Sequence, residues 1–502
     1  MRASSYTIYV NLPGDQDEVL IMHGFTGANY KVSRKVAAYV RSLEDKHPHK
    51  PLFGEWRAEA PIAHSTEIPS EDTIRLLRNQ GFLTRLSVEE EEQVFCRFVN
   101  KLHEASLHRS PDYIFMPTYD CNLRCGYCYQ GYLRTNPLYR HTLKTMPVEI
   151  VDRIFKGFPH IERLHGIEDN GRERSRAIGL FGGEPLLAIN RPAVERIIHN
   201  AFAIGNASFW AISNATELEA YEDLLSPELI SSIQVTLDGP PAEHDKRRIY
   251  ADGSGSFERI ARNITMALDH GVKIGVRMNV DRNNLSQVPE LAEVILSYRW
   301  DKYSNFGAYA APIRKFGDNV DAATTMDSSE LSQAMRDMEE EHPAMSLIQA
   351  PDVGSRSKAF RMFETAEAFA PELRESACSA HTGEYMFDAF ASIYVCWEHV
   401  GDLNTRIGVI GEDGHLDVNT NLLTMWQSRT VASNPVCRRC RYALHCGGGC
   451  AASALATHGT IHSNFCDGFA TQFRSAIAQG YLAHTNGSLV NISKTSRIGC
   501  GS

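Results

Sequence analysis

The hydrophobic and polar positions of residues 113–340 follow two alternating patterns. Short apolar runs typical of buried strands recur at Tyr113–Met116, Ala177–Phe181, Ser208–Ile212, Ser232–Leu237, Lys273–Val280 and Phe306–Ile313. Amphipathic stretches of helical length separate them at Val148–Leu164, Arg191–Ile204, Glu217–Leu225, Phe257–His270 and Leu285–Ser297. Six successive β/α units predict an α/β fold with a parallel sheet or open barrel. In such folds the functional groups gather at the carboxyl ends of the strands.

The residues before and after this region follow other patterns. Strands are predicted at Tyr6–Leu12 and Glu18–Met22, with helices at Val32–Leu43, Ser70–Gln80 and Ser87–His103. They predict a small β/helical, winged-helix-like module over 1–109, followed by the α/β region at 110–345. A linker at 346–377, a cysteine-rich domain at 378–480 and a tail at 481–502 complete the predicted order.

Composition and charge narrow the class of protein. A net charge of −10 argues against broad binding to nucleic acid or anionic membranes. The chain has neither an apolar run long enough for a membrane span nor the apolar core of a secretory signal, so we expect a cytoplasmic protein. In a reducing compartment, its 12 cysteines indicate metal binding or catalysis rather than disulfides.

Three of these cysteines lie in one loop directly after the first strand of the α/β region. Cys121, Cys125 and Cys128 have the spacing C-x3-C-x2-C. Clustered thiolates hold iron–sulfur clusters, which normally take four protein ligands, so three would leave one iron open to a small molecule. The alternative is a structural zinc site, which requires a fourth ligand that no nearby Cys or His obviously supplies.

A second motif follows the second strand. Gly182 and Gly183 permit close approach of the backbone to a ligand, and Glu184 supplies a carboxylate at the strand end. Together, the cysteine loop and this Gly-Gly-Glu-Pro turn resemble the radical S-adenosylmethionine (SAM) superfamily and its partial (β/α)6 barrel. The resemblance implies a 4Fe–4S cluster on the three cysteines, with SAM bound to the open iron. One electron would then cleave SAM to methionine and a 5′-deoxyadenosyl radical.

The same resemblance implies further contacts to SAM. Glu184 and its neighbouring backbone would hold the SAM ammonium, and Tyr127 lies where the family contacts adenine. Ser213 and Asn214, which end the third strand, match the position that binds ribose or methionine, although a plain strand-end turn is the alternative. Arg248 or Arg277 would pair with the methionine carboxylate, since Arg suits bidentate contact with that group.

The C-terminal cysteines carry a second resemblance, to the SPASM domain. By that resemblance, Cys378, Cys396 and Cys450 would hold one auxiliary 4Fe–4S cluster, and Cys437, Cys440, Cys446 and Cys466 a second. Gly447–Gly449 would permit the tight backbone path between ligands of different clusters. Paired zinc sites are the alternative, because Cys-x2-Cys pairs serve both metals.

Two departures from the SPASM pattern stand out. The family usually has glycine at the position of Ala391. No cysteine lies between Cys128 and Cys378, where some relatives have an eighth. The first auxiliary cluster should therefore have three cysteine ligands and a fourth site that is open or filled by another residue.

These observations predict a radical SAM peptide maturase that modifies a ribosomally made precursor peptide. The N-terminal module would bind the leader of the precursor by strand addition, and a flavodoxin or ferredoxin would supply electrons. An anaerobic sulfatase-maturating enzyme, which makes formylglycine, is the alternative enzyme. A non-enzymatic iron–sulfur redox sensor is the alternative of another class. The sequence assigns no catalytic acid or base, although Asp238, Tyr309 and Glu398 are candidates for lining the cavity.

Overall fold

The computed structural model describes residues 1–15, 17–44, 67–168, 174–314, 320–364 and 373–486. Its strands are β1 (Arg2–Ala3), β2 (Thr7–Asn11), β3 (Glu18–His23), β4 (Asn29–Ser33), β5 (Leu83–Thr84), β6 (Asp112–Phe115), β7 (Ser175–Leu180), β8 (Asn206–Ser213), β9 (Ile230–Thr236), β10 (Lys273–Val280), β11 (Phe306–Pro312), β12 (Ile348–Gln349), β13 (Glu384–Phe387), β14 (Ser392–Tyr394), β15 (Gly408–Ile410) and β16 (Leu416–Val418). Its α-helices are α1 (Arg34–Ser42), α2 (Glu71–Asn79), α3 (Val88–Leu107), α4 (Gly131–Thr135), α5 (Val148–Leu164), α6 (Arg191–Ala203), α7 (Pro241–Arg247), α8 (Phe257–Asp269), α9 (Val288–Ser297), α10 (Ser328–Glu339), α11 (Val353–Glu364), α12 (Thr420–Gln427), α13 (Ala443–Cys446), α14 (Ala451–His458) and α15 (Phe469–Thr485).

These elements form two compact units whose chain segments alternate along the sequence. The first unit takes residues 1–106, 351–378 and the described residues from 428 onward, and the second takes 107–350 and 379–427. The predicted linker at 346–377 contains β12 and α11, and the predicted tail begins within α15 and then continues outside the described residues. None of the helices in the described ranges combines the length and apolar character needed to cross a bilayer.

The second unit is built on an eleven-stranded sheet with the order β12-β11-β10-β9-β8-β7-β6-β13-β14-β15-β16. Strands β6 to β11 run parallel, each beside its predecessor in the chain, as the six β/α units predict. Strands β13 to β16 continue the sheet as an antiparallel extension that the hydrophobic pattern did not predict. The α/β fold predicted from the sequence is confirmed.

One predicted helix was wrong in type. Residues Leu218–Leu224 form a 3₁₀ helix rather than the α-helix expected over Glu217–Leu225. Its buried residues, Leu218 and Tyr221, are three positions apart, which places them on one face at three residues per turn. Because this connection between β8 and β9 is short, a single tight helix suffices to bury both side chains.

The two faces of the parallel strands differ in character. Fully buried apolar side chains line one face: Phe115, Leu180, Ile233, Val235 and Val276. Polar side chains line the other: Gln234, Thr236, Arg277, Asn279 and Tyr309. We call this second set the polar face. Because side chains alternate along a strand, and the register places Arg277 between Thr236 and Tyr309, these groups share one surface of the sheet.

The first unit contains the three-stranded antiparallel sheet β2-β3-β4. One face of this sheet packs on α1, with Ile21 and Val40 in the same apolar cluster. The other face packs on C-terminal residues, where Leu20 shares a cluster with Tyr442 and Ile477. Residues of the N-terminal module therefore complete a core with residues that follow it by more than 400 positions, a pairing that local patterns do not reveal.

A buried hydrogen-bond chain also stabilises the first unit. His23 Nδ1 accepts from the backbone N–H of Thr26 (3.2 Å), so His23 Nε2 carries the proton and donates to Ser4 Oγ (3.0 Å). The Ser4 hydroxyl donates to Glu91 Oε1 (2.6 Å). Burial lowers the pKa of His23 to about 4, which keeps the ring neutral at neutral pH.

Replacing Glu91 with alanine is expected to lower the free energy of unfolding by about 3 kcal/mol, because buried donors lose their acceptor. The Arg2 guanidinium, 2.7 Å from Glu91, also loses its partner. Urea unfolding of the two proteins measures the difference. The exposed Glu89 on the same helix is the control, and Glu89→Ala should leave the stability nearly unchanged. Equal losses in both variants would contradict this role of Glu91.

Candidate functional site

The cysteine loop begins directly after β6 and rests on the turn that follows β7. The backbone N–H of Gly183 donates to Thr118 O (3.0 Å), and that of Glu184 donates to Asp120 O (2.8 Å). A Cβ added at Gly182 would lie 2.5 Å from Thr118 O and would clash with it. Gly182 also has a φ of 141°, which residues with a side chain rarely adopt, so both space and backbone conformation require glycine here. The sequence prediction placed a ligand against these glycines, whereas here their backbone meets the cysteine loop itself.

Each of the three cysteine sulfurs has a donor or a cation close by. Cys121 Sγ accepts from the backbone N–H of Leu123 (3.4 Å) and from Asn214 Nδ2 (3.6 Å), and Cys128 Sγ accepts from Arg134 Nη2 (3.1 Å). At Cys125, burial raises the pKa of the thiol and the cation of Arg248 opposes that rise. Burial alone disfavours thiolates here, and these donors and cations offset part of that cost, so the donor set suits thiolate ligands of an iron–sulfur cluster.

Glu184 lies at the carboxyl ends of β7 and β8, where it is 2% exposed. Its Oε1 accepts from the Ser213 hydroxyl (2.7 Å) and the Leu186 N–H (2.9 Å), and its Oε2 accepts from the Asn214 N–H (2.5 Å). Burial raises the pKa of Glu184 to about 7, and these hydrogen bonds oppose the rise. Since each carboxylate oxygen has about two acceptor directions, Oε2 retains room for one further donor. Ser213 and Asn214 therefore join Glu184 in one cluster.

Tyr127 lies in a second cluster at the ends of β9 and β10. Its hydroxyl donates to Asp238 Oδ2 in a short hydrogen bond and accepts from Arg248 Nη1 (2.7 Å). Asn279 supports both partners, because its N–H donates to Asp238 Oδ1 (3.0 Å) and its side-chain amide donates to the Tyr127 hydroxyl (3.3 Å). Arg277 joins through its Nε, which donates to Asn279 Oδ1 (2.9 Å).

One donor of this second cluster has no acceptor. Arg248 is 8% exposed, and its Nε atom is buried without a hydrogen-bond partner among the described residues. A buried N–H without a partner is costly, and a bound anionic group would remove that cost. The site therefore offers one acceptor direction at Glu184 and one donor at Arg248, the complement of an amino acid's ammonium and carboxylate groups.

Asp238→Asn is expected to weaken SAM binding about tenfold, which corresponds to about 1.4 kcal/mol. An amide at this position cannot offer two anionic oxygens to Tyr127 and Asn279, and it removes the charge that faces Arg248. Equilibrium binding of SAM to the iron-loaded protein, in the absence of reductant, measures the change. Asp252→Asn, at an exposed loop position, is the matched control. Unchanged SAM affinity with an unchanged iron content would contradict this role of Asp238.

The polar face carries the other cavity candidates. The Tyr309 hydroxyl donates to Gln234 Oε1 (2.5 Å) across the neighbouring strand. Burial raises the pKa of Glu398 to about 7, and the cations of Arg314 and Arg277 oppose the rise. Glu398 Oε2 is buried and has no hydrogen-bond partner among the described residues. Asp238 is instead committed to the Tyr127 cluster, so the remaining candidates are Tyr309 on the polar face and Glu398, which lies near Arg277 of that face.

The C-terminal cysteines of the first unit lie around the glycine run. Gly447, Gly448 and Gly449 all have positive φ, at 74°, 83° and 74°. A Cβ added at Gly447 would lie 2.6 Å from Ala377 N, next to Cys378, and one added at Gly449 would overlap the Phe465 carbonyl, next to Cys466. The glycines therefore permit close packing between the segments that carry the predicted ligands of both auxiliary clusters.

Other residues of this region fit the predicted clusters. Cys466 Sγ accepts from Asn464 Nδ2 (3.2 Å). Cys396 follows β14 in the second unit, so its grouping with Cys378 and Cys450 stays a prediction. Ala391, where the SPASM resemblance predicts glycine, has a φ of 55°, a left-handed conformation that glycine adopts without strain. Among the described residues, no group of three or more His, Cys, Asp or Glu side chains converges on a point that holds a single ion.

Comparisons with known proteins show what this chain is similar to. Residues 115–295 match the sequence model of the Radical SAM superfamily. The pre-heme d1 synthase of Dinoroseobacter shibae is 25% identical over 224 residues, which cover 44% of this chain and 50% of that protein. The cysteine-type anaerobic sulfatase-maturating enzyme of Clostridium novyi is 21% identical over 378 residues, which cover 73% of this chain and 95% of that protein.

A solved structure shares the fold. The structure described as native anSMEcpe with bound AdoMet has a TM-score of 0.52 and 14% sequence identity, and the likeness covers 75% of this chain and 99% of that chain. Residues 115–295 therefore form a radical SAM domain, which binds SAM and an iron–sulfur cluster, and the chain is an enzyme. The family resemblance predicted from the cysteine loop and the Gly-Gly-Glu-Pro turn is confirmed.

Proposed function

We propose that this enzyme modifies a ribosomally made precursor peptide, and that the N-terminal sheet binds the leader of that peptide. The observation that carries the proposal is strand β4. Within the described residues, β4 pairs with β3 alone and lies at an edge of the sheet, with no residue of the strand fully buried. An edge strand offers unpaired backbone N–H and C=O groups to an added strand.

The chain's own residues have distinct tasks in this proposal. Cys121, Cys125 and Cys128 would hold the cluster, Glu184 Oε2 would accept from the SAM ammonium, and the Arg248 Nε would donate to the SAM carboxylate. The bound cluster would supply one-electron reduction of SAM, the chemistry that starts hydrogen-atom abstraction from the peptide. A flavodoxin or ferredoxin is the proposed source of that electron.

The polar face would receive the peptide. Arg277 supplies N–H donors, Glu398 supplies a carboxylate oxygen without a partner, and Tyr309 and Gln234 supply a hydroxyl and an amide. A peptide backbone presents both donors and acceptors, so a face with both kinds of group suits it. The SPASM-type cysteines would hold two auxiliary 4Fe–4S clusters, which gives three clusters and about 12 irons per chain.

The peptide assay tests this proposal directly. The iron-loaded enzyme is reduced anaerobically and mixed with SAM and the peptide encoded by a small open reading frame beside its gene. We expect a change in peptide mass together with release of 5′-deoxyadenosine. SAM cleavage that leaves the mass of this peptide and of its leader-containing form unchanged would contradict the proposal.

The leader site has its own measurement. Hydrogen exchange of the full chain, with and without the leader peptide, should show slower exchange of the β4 amides, while the β2 amides serve as the internal control. Deleting residues 1–105 would be a poor test, because these residues complete a core around Tyr442 and Ile477. Unchanged exchange at β4 in the presence of bound leader would place the leader elsewhere.

A sulfatase-maturating enzyme is the second candidate. The similarity to the Clostridium novyi enzyme favours it, since that match covers 95% of the relative. Strand β4, at the edge of the N-terminal sheet, is what favours the precursor peptide. In the same assay, a cysteine-containing sulfatase peptide converted to formylglycine would support the second candidate and overturn the first.

A further inference from the structure

Four predicted ligands of the second auxiliary cluster lie in a part of the first unit that has little secondary structure of its own. They are Cys437, Cys440, Cys446 and Cys466. We call residues 437–446 the ligand loop, which contains one 3₁₀ turn, Cys437–Arg439, and the four-residue helix α13. Helices this short are not stable alone. The ligand loop therefore depends on bound metal and on packing against other residues.

Hydrogen bonds join the ligand loop to the N-terminal sheet. The Tyr6 hydroxyl donates to Arg438 O (2.5 Å), and Arg441 Nη1 donates to Thr7 O (2.6 Å). A Cβ added at Gly24, which follows β3, would overlap the Arg441 carbonyl oxygen. The backbone of the ligand loop therefore lies directly against the ends of β2 and β3.

Apolar packing reinforces this contact. Tyr442 of the ligand loop shares one buried cluster with Ile8 of β2 and Leu20 of β3. A neighbouring cluster contains Cys437 together with Tyr6. A three-stranded sheet requires packing against another element for independent stability, so the ligand loop provides part of the support for this face.

The fourth predicted ligand leads into a helix that covers the same face of the sheet. Cys466 stands three positions before the first residue of α15, and α15 contributes Ile477 and Tyr481 to the cluster that contains Leu20. Lys31 of the edge strand β4 donates to the Tyr481 hydroxyl (3.3 Å), with its ammonium above the Tyr481 ring. The contacts of the predicted ligand segments therefore extend to the strand proposed to bind the leader.

We propose that the second auxiliary cluster holds the leader-binding sheet in place, so that recognition of the peptide depends on whether this cluster is present. Metal bound to a loop with little structure of its own contributes directly to folding. The bound cluster would fix the ligand loop and the start of α15, and both cover the sheet whose edge is β4. A set of four cysteines leaves no iron open to a substrate, which suits this supporting role.

Linkage makes the effect reciprocal. If the cluster stabilises the sheet, then the sheet retains the cluster by the same free energy. The consequence for peptide recognition rests on the proposed function, which places the leader at β4. The coupling between cluster and sheet does not, because it follows from contacts within the first unit.

Hydrogen exchange of the full iron-loaded chain tests the coupling without any peptide. Cys446→Ala should retain about eight of about 12 irons, and its β2 and β3 amides should exchange about tenfold faster than those of the unmodified protein. The amides of β7 to β10, in the second unit, should be unchanged. Cys121→Ala is the matched control, because it removes a cluster ligand from the second unit and should leave exchange in the N-terminal sheet unchanged.

The reverse measurement begins at the sheet and keeps every cysteine. Tyr6→Phe retains the ring but removes the hydroxyl that donates to Arg438 O. About four irons should pass to an added chelator about fivefold faster, because the ligand loop loses one of its supports, while the others leave at an unchanged rate. Tyr39→Phe is the control, since Tyr39 of α1 lies in the apolar cluster on the opposite face of the sheet.

Three outcomes would overturn this proposal. The first is unchanged exchange of the sheet in Cys446→Ala with about eight irons bound. The second is equally faster exchange in both units, which would mean general unfolding. The third is the same rate of iron release in Tyr6→Phe and Tyr39→Phe, and this comparison decides alone where Cys446→Ala does not fold. Failure of the proposed function would appear elsewhere, in an unchanged peptide mass or in unchanged β4 exchange with bound leader.

Discussion

Cys121→Ala is expected to abolish SAM cleavage and to remove about four of about 12 irons per chain. Cys121 is the buried member of the loop, and its sulfur accepts hydrogen bonds both from the loop and from Asn214 after β8. Its loss leaves two thiolates for a cluster that depends on three. Iron and sulfide analysis, with 5′-deoxyadenosine release under dithionite, measures both effects.

Cys96→Ala provides the matched control for this prediction. Cys96 lies in α3, is partly buried, and belongs to neither group of predicted ligands. This variant should keep its full iron content and its rate of SAM cleavage. Full SAM cleavage by Cys121→Ala, or an equal loss in Cys96→Ala, would contradict the assignment of the loop.

The α/β fold was predictable because its signals are local. Each parallel strand is a short apolar run buried on one or both faces, and each helix has an apolar stripe, so both patterns appear within windows of a few residues. Strands β13 to β16 were not predicted, because they are short and because the pairing of β13 with β6 joins residues about 270 positions apart. The shared core of Leu20 and Tyr442 escaped prediction for the same reason.

The candidate site was predictable in part. The cysteines, Glu184, Ser213 and Asn214 are found at strand ends, where spacing along the chain indicates them. Arg134 was not predicted, because a single cation on a short helix has no distinctive motif. The role of Asp238 was not predicted either. Its hydrogen bonds from Tyr127 and from the Asn279 N–H depend on how β9, β10 and the cysteine loop lie together in the fold.

Arg429 is a further residue of this kind, because its role depends entirely on contacts distant in sequence. It is 3% exposed, and its Nη2 donates to the carbonyl oxygens of Gly448 (3.2 Å), Gly449 (2.9 Å) and Ser463 (3.3 Å). Burial lowers the pKa of this guanidinium, and four neighbouring cysteines oppose the change: Cys378, Cys437, Cys450 and Cys446. One buried cation therefore faces predicted ligands of both auxiliary clusters.

Arg429→Met is expected to lower the iron content from about 12 to about four irons per chain. The substitution leaves several thiolates without a compensating cation and leaves three carbonyl oxygens without their donor, so the ligand loops lose their positions. Arg429→Lys should retain an intermediate amount of iron, because an ammonium keeps the charge but cannot also donate to Ile461 O as the Arg429 Nε does. SAM cleavage driven by dithionite should persist in both variants.

Arg474→Met separates this effect from a general loss of packing. Arg474 is also buried in the first unit, where it donates to the Tyr442 hydroxyl (2.7 Å). The Arg474→Met variant should retain about 12 irons per chain even if its melting temperature falls. A full iron content in Arg429→Met would overturn the role of Arg429 and leave the auxiliary clusters standing. About four irons in the unmodified protein would overturn both the two auxiliary clusters and the role of Arg429.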